Sequence, residues 1–439
     1  MTRKMKDSGI EWIGEIPEDW EVVRNKNIFN RKKEIIENEW KNTQLLSLTT
    51  KGIIKKDISI LEGKLPESFS TYQFVNKGDL VLCLFDLDMS AVFNGYCQYD
   101  GMISPAYKRY VLKAEGDLRY YNYLFDFIFD KRKYKIYSTT LRFTLDNQEF
   151  DRIPTIKPNL KQQIEIANFL DRKTKQIEDI KNTINNEIET IENYKKSVIT
   201  EAVTKGLNKN VEMKDSGIEW IGEIPKHWEV KRLKQILSND PDSLKVGPFG
   251  SALKSSDLVN NGKWVYNQRT VIDNNFSSND TFIDDKKFAE LRGFKVQAGD
   301  ILLTTRGTIG KIAIVPSVFY EGVIHPCIIK FNLNRKIFEN ELIRFIFNHT
   351  DLVLKQVEFL SNSTTIGVIY SYNLVNIYIP TPPIGEQSQI IDYLDKKTKL
   401  IDDSIAIKQK QLETLEEYKK SLIYEYVTGK KEVKDGEET

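Results

Sequence analysis

A stretch of 22 residues occurs twice in this sequence, and that repetition limits the fold more than any other feature. Met5 to Lys26 reads MKDSGIEWIGEIPEDWEVVRNK, Met213 to Lys234 reads MKDSGIEWIGEIPKHWEVKRLK, and 18 of the 22 positions are identical at an offset of 208. Chance does not produce such a match, so the chain is a tandem duplication. A second match starts at Gln162 (QQIEIANFLDRKTKQIED) and Glu386 (EQSQIIDYLDKKTKLIDD), at an offset of 224, and runs on through Tyr194-Lys195-Lys196-Ser197 against Tyr418-Lys419-Lys420-Ser421. Between these ends the similarity is thin. One island survives at an offset of 221: Gly78-Asp79-Leu80 with Tyr99, Gly101, Ile103 and Pro105 against Gly299-Asp300-Ile301 with Tyr320, Gly322, Ile324 and Pro326.

Each half is therefore a globular region followed by a tail, with ends alike and middles different. That is the pattern of a common frame carrying two specificities. Neutral drift of a duplicated domain is the alternative, but drift should not leave the ends so alike.

The tails read as long helices. Leu170, Ile177, Ile180, Ile184, Ile188, Ile191, Tyr194 and Val198 form one apolar stripe, and Leu394, Ile401, Ile405, Leu412, Leu415, Tyr418 and Leu422 form the other. Pro158 and Pro383 precede the helices, and Gly206 and Gly429 stand where they should stop. About 40 residues at about 1.5 Å each predict a rod of about 60 Å. Narrow stripes of this length are expected to pair, and an antiparallel coiled coil with Leu170, Ile177, Ile184, Ile191, Leu394, Ile401, Leu412 and Leu415 at the interface suits a duplicated chain that must return through its second globular region. A single amphipathic helix on its own domain is the simpler alternative. The globular regions read as mixed α and β: Leu80 to Leu84, Ile301 to Thr304 and Lys311 to Val315 as strands, Tyr120 to Phe129 and Glu339 to Phe347 as helices.

The chain has 439 residues, 40% hydrophobic and 29% charged, which is enough for normal cores and excludes a disordered or fibrous protein. Lysine plus arginine number 64 against 63 acids, so no whole-molecule field would hold a polyanion. The start, Met1 to Ile10, is polar and no apolar run approaches membrane-spanning length, so a soluble cytoplasmic protein with no membrane contact is expected. Cys83, Cys97, Cys327, His227, His325 and His349 have neither disulfide nor zinc spacing, so no metal is expected.

No catalytic constellation stands out. Gly307 to Lys311 lacks the glycine spacing and following Ser/Thr of a phosphate-binding loop and reads as a turn. Asp242, Asp284 and Lys286 could be arranged as a nuclease triplet, but such a triplet is expected by accident among 63 acids. Nucleic-acid recognition has better support. Lys108 and Arg109 follow a turn beside Tyr107, Asn267-Gln268-Arg269 follow Trp264-Val265-Tyr266, and Arg306 and Thr308 follow a strand. Arginine can pair bidentately with guanine, Asn or Gln with adenine, and Lys or Thr with phosphate. Arg142 in Ser138 to Phe143 and Thr364 in Ser361 to Ile366 lie in hydroxyl-rich loops at matching places before the two tails. For each of these residues a solvated surface side chain is the plain alternative.

The doubled S-G-I-E-W-I-G-E-I-P-x-x-W-E-V motif at Ser8 to Val22 and Ser216 to Val230, with the L-D-x-K-T helix that follows each copy, resembles the specificity subunit of type I restriction-modification systems. The resemblance covers nearly the whole chain and implies an α+β protein with an internal pseudo-two-fold repeat. It implies two target-recognition domains, each reading half of a bipartite site on double-stranded DNA, held apart by two long antiparallel helices. It also implies two methyltransferase subunits docked on the chain, joined by restriction (translocase and nuclease) subunits, with S-adenosylmethionine, ATP and magnesium belonging to those partners and no cofactor or catalysis in this chain. The expected division is 1–154 for the first recognition domain, 155–210 for a central helix and linker, 211–380 for the second domain, 381–430 for the C-terminal helix and 431–439 for a polar tail. Phe85-Asp86-Leu87 stands where the second half has Arg306-Gly307-Thr308, so the two halves should read different bases. A self-contained nuclease or methyltransferase, and a coiled-coil scaffold without DNA specificity, are the rival readings.

Overall fold

The computed structural model describes residues 3–58, 68–361 and 367–433. They divide into two compact units, residues 1–185 with 409–439 and residues 186–408. Two long helices, Leu160–Lys205 and Ile384–Val427, each contribute one part to each unit.

The repeated motif folds the same way in both units. Met5–Asp7 pairs antiparallel with Glu15–Pro17, and Met213–Asp215 with Glu223–Pro225. The seven residues between the strands turn tightly because Gly9, Gly14, Gly217 and Gly222 all take positive φ, the region glycine enters without steric cost. The motif ends on a fully buried tryptophan, Trp20 or Trp228. Each receives the end of a long helix. A side chain on Gly429 would meet Pro17 at 2.5 Å and the Trp20 ring at 3.0 Å, and one on Gly206 would meet the Trp228 ring at 3.0 Å. Both glycines have the left-handed φ of a helix C-cap, so one residue stops the helix and lets its backbone press onto indole. The Tyr120 hydroxyl donates to the Val427 carbonyl at 2.9 Å and fixes the same junction in the first unit.

Each unit carries a four-stranded sheet of matching order. In the first it runs Phe29–Lys32, Lys108–Leu112, Leu80–Leu82, Asn94–Tyr96; in the second, Leu244–Val246, Ile328–Phe331, Ile301–Thr304, Ile312–Ile314. A second four-stranded sheet differs in order between the units, although each has one parallel pairing, Leu45–Thr49 with Gly101–Ile103 and Lys263–Tyr266 with Gly322–Ile324. The divergent middles of the sequence therefore lie on this second sheet and its loops. Leu118–Asp130 and Asn340–His349 are the helices expected near Tyr120 and Glu339, each burying an aromatic face against the first sheet.

The surviving Gly-Asp island is a core device. Asp79 Oδ2 accepts from the Asn76 N–H at 2.6 Å and lies 2.6 Å from Arg109 Nε; Asp300 Oδ2 accepts from the Gln297 N–H at 2.8 Å and lies 3.0 Å from Lys330 Nζ. All four side chains are buried. Arg109, expected from sequence to touch DNA, is thus corrected to a structural residue: its guanidinium neutralises a buried carboxylate and has no free face.

The interface residues expected on the helices also divide. Leu170 and Ile177 belong to the core of the first unit and Leu394 to that of the second, so these three pack on globular domains. Ile184 and Ile401 are buried, Ile191, Leu412 and Leu415 half-buried, and Ile180 and Tyr194 exposed.

Candidate nucleic-acid interface

Strand register brings the loops of each unit together at the ends of strands from its two four-stranded sheets. In the second unit Val246 lies opposite Ile329 and Thr304 opposite Ile328, while Tyr266 and Ile324 end in parallel register. Segments 247–252, 305–310 and 325–327 therefore adjoin the same strand ends of one sheet, the His325 N–H donates to Tyr266 O at 2.9 Å to bring in 267–269 from the other, and Arg306 bridges to Val368 to bring in a fifth. The Gly247 N–H donates to Ile328 O at 2.8 Å and the Thr305 N–H to Cys327 O at 3.0 Å, which fixes two of these loops by backbone.

On this edge Arg306, Gly307 and Thr308 are exposed, and among the described residues no carboxylate pairs with Arg306. Gln268 donates its amide to the Arg306 carbonyl and ties the two loops together. Asn267 is more committed than expected. Its Oδ1 accepts from the Arg269 and Thr270 N–H groups as an N-cap, and its Nδ2 donates to Thr281 at 3.1 Å, so it orients the loop and is not a free reader. Arg269 stays mostly exposed, with Asp273 and Asp280 at 3.5 and 3.7 Å. Thr364 lies outside the described residues.

In the first unit Lys108 lies opposite Leu82 and Ile103 opposite Gln73, so loops 83–90 and 104–107 share an edge. Leu145 N–H donates to Leu84 O at 2.7 Å and Asp86 N–H to Thr144 Oγ1 at 3.0 Å, which draws in the 138–144 loop. Arg142 projects there, its side chain 80% exposed and 4.0 Å from Asp86. Its neighbour Leu141 is 99% exposed. Lys108 is half-buried at the start of its strand.

The two edges share a left-handed residue at a matching place and differ in the side chains around it. Asp86 and Gly307 occupy matching positions and both have positive φ, at 53° and 63°. The side chain before that residue is Phe85 in one unit and Arg306 in the other, an aromatic ring in one place and a guanidinium in the other. Sequence reasoning missed Phe249, 88% exposed on a Gly-Pro-Phe-Gly turn, although the isolated aromatic between helix breakers was a visible signal. It also passed over the run Arg31-Lys32-Lys33.

The remaining candidates have structural uses. Gly307 to Lys311 is a hairpin turn between antiparallel strands, with Lys311 Nζ donating to Asn348 O at 2.9 Å. Asp284 caps the helix Asp285–Glu290, and Asp242 sits 3.2 Å from Lys245. Among the described residues no group of three or more His, Cys, Asp or Glu could hold a metal, and no helix is long and apolar enough to cross a membrane.

Residues 225–417 match the family described as type I restriction modification DNA specificity domain. That span covers most of the second globular region and over half of its long helix, and the first half of the chain repeats the same frame. The chain is similar to the specificity subunits of type I restriction-modification systems. It is 28% identical to the type I restriction enzyme MjaVIII specificity subunit of Methanocaldococcus jannaschii, over 96% of this chain and 95% of the relative. It is 25% identical to the putative type I restriction enzyme MjaX specificity subunit of the same organism, over 96% of each. A solved chain described under complex assembly and conformational transition of the type I R-M system superposes with a TM-score of 0.67 at 13% identity, covering 94% of this chain and 99% of that one. The chain thus shares that fold across nearly its full length.

Proposed function

We propose that this chain is a specificity subunit that chooses the DNA site for its complex, each loop edge reading one half of an asymmetric bipartite target. The observation that carries this is the left-handed residue shared by Asp86 and Gly307 with different side chains around it, after equivalent strands of a sheet with the same order in both units. Exposed Arg306, Arg269 and Thr308 in one unit, and half-buried Lys108 with exposed Arg142 in the other, supply donors for phosphates and base edges.

The long helices serve as an antiparallel coiled coil that sets the unspecified spacer. Support comes from ion pairs inside each unit. Glu178 meets Lys419 and Lys181 meets Glu416 in the first; Glu187 meets Lys408 and Lys195 meets Asp402 in the second. In each unit the number rises on one helix as it falls on the other. A duplicated frame offers two similar docking patches, which suits two methyltransferase subunits and, with them, the restriction subunits. Methyl transfer with S-adenosylmethionine and ATP-dependent cleavage then belong to those partners, and the chain itself works in the cytoplasm as a non-catalytic reader.

Exchange of Met5 to Pro154 for the same segment of a relative, followed by sequencing of the modified motif, tests this reading. One half of the motif should change while the other half and the spacer stay. Changes in both halves would overturn it.

A further inference from the structure

Phe29–Lys32 pairs antiparallel with Lys108–Leu112, with Arg31 opposite Tyr110 and Lys32 opposite Arg109. Side chains alternate across a strand, so Arg31 and Lys108 share one face, and Lys33, one residue past the strand, continues it. Lys32 and Arg109 point the other way, where Arg109 meets Asp79. Burial, and then repulsion from Arg31 and Lys33, pushes the Lys108 ammonium below its ordinary value. Three cations therefore crowd one another at the edge that carries the Ser104 to Tyr107 turn.

No ion pair relieves them. Among the described residues no carboxylate comes within the 4.0 Å of an ion pair with Arg31, Lys33 or Lys108. Glu34, next in sequence to Lys33, lies 3.6 Å from Arg109 instead. Nor is the crowding a by-product of a basic domain, since the whole chain carries a net charge of only +1.

The second unit supplies an internal control. There Leu244 lies opposite Phe331, Lys245 opposite Lys330 and Val246 opposite Ile329, in the same register. The positions of Arg31, Lys33 and Lys108 are thus taken by Leu244, Val246 and Ile329, while Lys32 keeps its counterpart in Lys245. The fold does not call for cations at these three places. Like charges left unpaired on a shared strand face weaken a sheet, so their presence on one repeat alone points to an absent anion.

We propose that Arg31, Lys33 and Lys108 form a phosphate-binding station for the DNA backbone at the first half-site, and that the second repeat lacks it at the matching place. The station rests on the DNA-reading function proposed above and deepens it: the electrostatic grip of the subunit is unequal, stronger on the half-site read by the first unit. Displacing counterions from about three phosphates would contribute about 2.7 to the slope of log affinity against log salt.

The test is fluorescence anisotropy of the full-length chain on a labelled mixed-sequence duplex, titrated from low to physiological salt. In Arg31→Gln/Lys33→Gln/Lys108→Gln the slope should fall by about 2 to 3 while the thermal midpoint stays or rises. In Lys161→Gln/Lys209→Gln, which removes two exposed cations elsewhere, it should fall by less than about 1. Arg31→Leu/Lys33→Val/Lys108→Ile installs the residues the second repeat already accommodates and should lose the same slope, which guards against misfolding of the glutamine variant. A folded variant with the wild-type slope overturns the station and leaves the DNA-reading function standing. Wild-type chain with no salt-dependent affinity overturns both.

Discussion

Arg109 and Asp126 show how single side chains divide between frame and function. Removing the Arg109 guanidinium leaves the Asp79 carboxylate buried without its partner, so Arg109→Leu should cost about 3–5 kcal/mol in urea unfolding. Lysine performs this task at Lys330, so Arg109→Lys should restore most of the loss. An Arg109→Lys variant that is fully stable yet loses DNA affinity would return Arg109 to the reading surface. Asp126 sits on the Leu118–Asp130 helix, accepts from Asn94 Nδ2 at 2.8 Å, and burial pushes its carboxyl up to about 7. Its counterpart in the second unit is the neutral Asn348, bonded both ways to the Ile312 backbone. A raised carboxyl pKa means that the folded state holds its proton longer. Stability is then fullest below about pH 4 for this group and is lost as pH rises through about 7. Asp126→Asn should therefore flatten that loss and gain about 1–2 kcal/mol at pH 8, discounted from the about 4 kcal/mol of a fully sealed group because the side chain is only half-buried by surface area. Thermal melts from pH 4 to 8 would show it; parallel curves for the two proteins would contradict it. The offset of 221 places Arg109 on Lys330 in the bare sequence. What the sequence did not disclose was burial, since a basic residue beside a turn looks the same whether it faces a solvated phosphate or an aspartate two strands away.

At the scale of elements the helices were the most legible part. Their apolar spacing and the closing Gly206 and Gly429 predicted both elements, and the structure adds why each glycine is required. Gly429→Ala places a methyl group against Pro17 and Trp20 at a left-handed φ, so it should destabilise the first unit by at least about 1 kcal/mol, read as a lowered thermal midpoint. An unchanged midpoint would mean that this junction is loose. The ruler function makes a separate prediction. One heptad inserted into both helices adds about 10 Å, or about three base pairs at about 3.4 Å each. The spacer of the methylated motif should lengthen by about that much with both half-sites unchanged, whereas altered half-sites at constant spacer would remove the ruler. The loops were less legible because their roles come from register. Asn267 reads as a base-contacting side chain in sequence and turns out to cap the short helix Gln268–Ile272, and Arg31 drew no notice until pairing set it beside Lys108.

For the whole molecule the balance of charge acquires a meaning. Residues 1–154 carry 24 basic and 23 acidic side chains and residues 211–380 carry 20 and 19, so neither half supplies strong nonspecific affinity by counterion release. Local stations and exposed loop residues are left to choose the site, and the expected consequence is weak DNA binding by the subunit alone. Tight, salt-resistant binding by the isolated chain would contradict that division of labour. The duplicated frame with unlike edges makes the target asymmetric, and this is the central claim. It is tested most directly by single-molecule methylation sequencing of DNA from cells that express this chain with its methyltransferase. The result predicted is one bipartite motif with two different half-sites and a spacer of fixed length; a continuous motif, or two identical half-sites, would contradict it.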